Sequence, residues 1–62
     1  MNMRVYVDNR AVDLPPGLTV KHALLAADAL DRIDDSHRPY DQWGNELGLD
    51  GALHDGMRIH VR

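Results

Sequence analysis

The sequence contains no cysteine. That excludes disulfide staples, thiolate zinc sites, thiolate-ligated iron–sulfur clusters and a cysteine nucleophile. No apolar run approaches the ~20 residues of a membrane-spanning helix. The first residues lack the apolar core of a secretory signal. A cytoplasmic chain without membrane association is therefore expected. The five glycines stand singly at turn signals, so no glycine-rich phosphate loop is present. Ser36 is the one serine. Its neighbour His37 is poorly placed to act as its base, and no oxyanion-hole loop accompanies the pair. Basic residues are fewer than acidic ones, seven against ten, for a net charge of −3. That balance argues against bulk attraction to nucleic acid or anionic lipid.

What is present is enough for one small domain over residues 1–62. A chain of this size buries only about 60% of the surface its unfolded form exposes, so modest stability is expected. The organising stretch is residues 15–30, a turn followed by one helix. Pro15, Pro16 and Gly17 stop whatever strand precedes them. Thr19 is placed as the N-cap, with its hydroxyl available to the first turn. His22 stands where a capping box requires Glu or Gln, so no box is expected. Val20, Ala23, Leu24 and Ala27 fall on one face at helical spacing, while Lys21, His22 and Asp28 fall elsewhere. Leu25 lies off the stripe. The pattern predicts a helix over about 19–30, fading into an acidic connector at 31–36.

On either side the period changes to two. Met3, Val5 and Val7 alternate with Arg4 and Tyr6. Asp8-Asn9 is a tight-turn signal, and 11–14 returns with Val12 and Leu14 inward. Residues 38–42 predict a short strand that Pro39 either confines to an edge or delays in starting. The stretch 43–46 reads as a turn, with Trp43 as a lid on the small core ahead of a binding anchor, since aromatics serve both roles. Leu47 and Leu49 close over the core, and Leu53 plugs it between turn signals at 50–51 and 55–56. Met57, Ile59 and Val61 alternate with Arg58, His60 and Arg62. Two patterned strands at opposite ends of the chain, each with one apolar face, are best satisfied in one sheet under one helix.

The segments Met-Arg-Val-Tyr-Val-Asp at 3–8, Leu-Pro-Pro-Gly-Leu-Thr-Val at 14–20 and Leu-His-Asp-Gly-Met-Arg-Ile-His-Val at 53–61 resemble those of β-grasp, or ubiquitin-like, proteins. The likeness is to small sulfur carriers and to ferredoxin-like domains. It spans nearly the whole chain, and it rests on turn and core signals that specify fold rather than function. It implies an α+β fold, a mixed sheet of four to five strands on one helix, with the first and last strands adjacent and parallel. The signature chemistries of both relatives are missing. Sulfur carriers end in Gly-Gly, where this sequence reads Ile59-His60-Val61-Arg62, and the ferredoxin-like cluster needs cysteines.

No catalytic residue, metal site or cofactor is expected. His22, His37, His54 and His60 are scattered over helix, connector, turn and strand, which favours independent surface histidines. Asp28, Asp31, Asp34 and Asp35 lack the order of a calcium loop and read as a solvated acidic helix end. One surface stands out. With the end strands side by side, Arg4, Tyr6, Arg58, His60 and Arg62 converge on the sheet face away from the helix, a basic stripe with one aromatic. β-grasp relatives often bind proteins on this face. The same residues also fit an ordinary wet face with cross-strand pairs such as an arginine to Asp8 or Asp13. The leading expectation is a monomeric, non-enzymatic interaction module for an acidic protein partner. The alternatives are a sulfur-carrier or ubiquitin-like modifier, disfavoured by the absent Gly-Gly, and an RNA-binding domain, disfavoured by charge and by the lack of paired surface aromatics.

Overall fold

In the computed structural model, which describes residues 1–62, β1 (Met3–Val7) and β2 (Arg10–Leu14) form an antiparallel hairpin. Asp8 and Asn9 both have positive φ, 48° and 68°. These values give a two-residue turn whose twist matches the flanking strands. Val5 and Val7 are buried on one side of β1, and Leu14 is buried on β2 beside half-buried Val12. β4 (Arg58–Val61) lies parallel to β1, with Tyr6 opposite Arg58 and Val7 opposite Ile59. The Tyr6 N–H donates to the Met57 carbonyl and the Asp8 N–H to the Ile59 carbonyl, both at 2.9 Å. β3 is only Pro39–Tyr40, antiparallel to β4 at the sheet edge, shorter than the 38–42 expected. A proline at that position cannot donate to a ladder, so an edge is its natural place. The sheet order is β2-β1-β4-β3, four strands in all, the lower of the expected counts.

The helix α1 (Val20–Ala26) lies in the crossover between the parallel strands. Val20, Ala23 and Leu24 are buried against the sheet. Lys21 and His22 are exposed, as the helical period requires, and Asp28 is exposed just past the helix end. Its first turn is closed from outside. The Val20 N–H donates to the Gly51 carbonyl at 3.0 Å and the Lys21 N–H to Leu49 at 2.9 Å. The approach at Gly51 is close enough to favour glycine. A Cβ there would meet the Gly48 carbonyl oxygen at 3.0 Å and the Val20 side chain at 3.5 Å. Leu47, Leu49 and Leu53 pack half-buried on the core around this loop.

Two helix expectations are corrected. A capping box does form, with His22 in the role of Glu or Gln. The Thr19 N–H donates to His22 Nδ1 at 3.1 Å, and the Thr19 hydroxyl lies 2.9 Å from the same nitrogen. A ring nitrogen that accepts can replace a side-chain carboxylate or amide oxygen there. The helix also ends earlier than residue 30. The Ala29 N–H donates to Leu24 at 2.8 Å and the Asp28 N–H to Leu25 at 3.1 Å, with Asp28 at φ 58°. That is a Schellman ending with aspartate in the left-handed position. It turns Ala29 into the core, and the chain continues as a single 3₁₀ turn, Leu30–Arg32, where an irregular acidic connector was expected. No helix is long and apolar enough to cross a membrane.

Candidate functional site

The uncovered face of the sheet is built by the alternation of its strands. Every residue whose neighbours point at α1 points away from it. Arg4 and Tyr6 on β1 lie opposite Asp13 and Ala11 on β2. On β4, Arg58 is exposed and His60 half-buried, while Ile59 between them is fully buried. Arg62 follows at the same period. The backbones of Arg62 and Arg38 exchange hydrogen bonds of 3.0 and 2.7 Å, which extends the β3–β4 ladder by one pair. Arg4, Tyr6, Arg58, His60 and Arg62 are therefore on one face.

Their electrostatic situations differ. The Arg4 guanidinium donates to both oxygens of Asp13, at 3.0 and 3.3 Å. This hydrogen bond, with the charge attraction behind it, holds the Asp13 carboxyl below its usual range and the Arg4 guanidinium above its own. Arg38, on the same face, is paired with Glu46 at 3.2 Å. Arg58 and Arg62 pair with no carboxylate among the four ion pairs present. Each sits over a tyrosine instead. Arg58 lies 4.5 Å from the Tyr6 ring centre and Arg62 lies 6.0 Å from that of Tyr40. Both distances fall within the range of cation–π attraction, about 0.5–1 kcal/mol at exposed sites. The stacking orients the two guanidiniums and leaves their N–H groups open.

Tyr40 was missed by sequence reasoning, which placed one aromatic on this surface. It lies opposite His60 across the β3–β4 ladder. Arg38 and Tyr40 stand two apart across Pro39, so the alternation was present. The register that turns it to this face was not.

Trp43 is a second correction. It is no lid on the core: it is 72% exposed. The Asp41 carboxylate explains its position. That group accepts from the N–H groups of Trp43 and Asn45, both at 2.9 Å. The Asn45 and Trp43 donors are among the causes that hold its carboxyl below the usual range, Asn45 the largest. Gly44, at φ 85°, completes the turn and leaves the indole pointing outward. The ring borders a shallow cleft of about 80 Å³ that it shares with Met57, Arg58, His54 and Gln42.

The histidines are dispersed. His22 caps α1, His54 borders the cleft, His60 is on the sheet face and His37 Nδ1 lies 3.1 Å from Asp34. The Asp34 carboxylate accepts the backbone N–H groups of Ser36 and His37, both at 2.8 Å, and is held below its usual range chiefly by the first. No hydrogen bond links the Ser36 hydroxyl to a histidine ring. No three His, Asp or Glu side chains gather in a metal-holding group.

Comparison with family models, with curated proteins and with solved structures returns no match. The geometry alone defines the class: an α+β domain with one helix under a mixed four-stranded sheet, whose open face carries two tyrosine-stacked, carboxylate-free arginines.

Proposed function

We propose that this chain is a β-grasp domain that works as a non-enzymatic interaction module, binding an acidic protein partner on its open sheet face. The β-grasp reading is supported by the helix in the crossover between adjacent parallel strands β1 and β4. The functional reading rests on one observation. Arg58 and Arg62 are held over tyrosines without a carboxylate, on a chain whose net charge is −3. Nearby arginines on the same face show the alternative, since Arg4 and Arg38 are each neutralised in place. Charges left open on a preorganised surface favour an oppositely charged partner and speed its encounter.

RNA binding is the second reading, favoured by the presence of two half-buried tyrosines, Tyr6 and Tyr40, on this face, since single-strand binding uses aromatic stacking. The net charge weighs against it.

Amide-shift titration with poly-glutamate and with a uridine oligonucleotide at low salt tests both. The proposal expects poly-glutamate to shift residues of β1 and β4. It expects the Arg58→Glu, Arg62→Glu double variant to bind at least tenfold more weakly. Unchanged binding by that variant removes the face from consideration, and a preference for the oligonucleotide replaces the protein partner with RNA.

A further inference from the structure

We infer that the cleft beside Trp43 is the specificity-determining end of this face, and that it takes one leucine-like or aromatic side chain of an extended acidic peptide. The inference rests on the reading of the face as a protein-binding surface. It goes further by naming the partner's chemistry.

Three large apolar side chains are exposed, Met1, Leu25 and Trp43, and of these Trp43 alone borders a cleft. An exposed indole gains more from burial on binding than almost any other side chain. The turn beneath it is held by hydrogen bonds of 2.9 Å from the Trp43 and Asn45 N–H groups to Asp41, and by the 2.9 Å bond from the Asp41 N–H to the Asn45 carbonyl. Little backbone ordering remains to be done when a partner arrives. The apolar residues that line the cleft are Trp43 and Met57, of which Met57 is buried and Trp43 exposed. The cleft volume, about 80 Å³, suits a single side chain.

Charge fixes what surrounds that side chain. Arg58 lines the cleft and also stacks on Tyr6, so the apolar pocket opens directly onto the cationic stripe. The one carboxylate in the cleft, Asp41, is already engaged by backbone donors. Outward positions on β4 recur every second residue, at Arg58, His60 and Arg62, with a spacing of about 7 Å along the strand. An extended peptide repeats its side chains at the same interval. Carboxylates on alternate residues of such a peptide match all three positions, and an apolar residue two places before the first of them reaches the indole.

The test uses two capped peptides, Leu-Ser-Glu-Ser-Glu-Ser-Glu and Ser-Ser-Glu-Ser-Glu-Ser-Glu, with a uridine heptanucleotide beside them. Trp43 is the only tryptophan, so its emission reports on the cleft. The leucine peptide is expected to bind at least tenfold more tightly and to shift the emission to the blue, which the serine peptide does not. Trp43→Ala, followed by amide shifts, is expected to erase the difference between the two peptides. Equal affinities of the two peptides for the natural chain overturn this inference and leave the face reading standing. Binding of neither peptide overturns both, as does binding of the heptanucleotide in preference to them.

Discussion

Thr19 and His22 close the first turn of α1 through one nitrogen, which accepts from the Thr19 N–H at 3.1 Å. Nothing acidic stands in that turn to help. Removing the acceptor in His22→Ala is expected to lower stability by about 0.5–1 kcal/mol, in the range of lost helix caps. His22→Gln, which restores a side-chain acceptor, is expected to recover most of it. Urea midpoints of the two variants check this, and an unshifted midpoint for the alanine variant contradicts the role. The capping role was not legible in the sequence because the box is recognised by Glu or Gln, and an imidazole fills it only once the ring is seen turned back. Trp43 was misread for a related reason. Its direction is set by hydrogen bonds to Asp41 and the positive φ of Gly44, and a lone aromatic beside a turn carries no sign of which way it faces. Asp8 shows the opposite case. Asp-Asn announced the turn, and the same Asp8 carboxylate goes on to accept from Val61 at 3.1 Å and Arg32 at 2.8 Å.

At the level of elements, the strands were legible and the helix terminus was not. Met3–Val7 alternates in a clean period of two, and the structure returns those bounds. Helix bounds depend on one dihedral. Ala27-Asp28-Ala29 offers no glycine to mark a left-handed residue, yet Asp28 adopts φ 58°. The ending is selected by what it buries: the reversal puts Ala29 into the core and lets Leu30 and Ile33 pack against it. Holding aspartate there costs backbone energy, and its charge opposes the C-terminal end of the helix dipole. Asp28→Gly is therefore expected to raise stability by about 0.5–1 kcal/mol. Asp28→Asn, which removes only the charge, is expected to give a smaller gain, and Asp28→Val a loss. Thermal unfolding of the three variants tests the order. A destabilised glycine variant contradicts the assigned ending.

Across the whole molecule, chain ends that are 50 or so residues apart meet in the centre of the sheet, and the open face exists because of that meeting. Tyr6 is level with Arg58 only in the parallel register, and that register is what seats the Arg58 guanidinium over the Tyr6 ring. The five residues expected on the surface were legible because alternation assigns sides once the two strands are neighbours. Tyr40 was not, because a two-residue strand broken by a proline leaves almost no pattern from which to read its partner. The parallel β1–β4 register is thus the claim on which the fold, the face and the cleft's position all depend. Hydrogen exchange followed by NMR, with through-space contacts recorded on the same sample, tests it most directly. The account predicts strong protection of the Tyr6 and Asp8 amides, which bond to Met57 and Ile59 at 2.9 Å, together with cross-peaks between the Tyr6 ring and the Arg58 side chain. Unprotected amides at Tyr6 and Asp8, or contacts that pair β1 with β4 in the antiparallel sense, would contradict it.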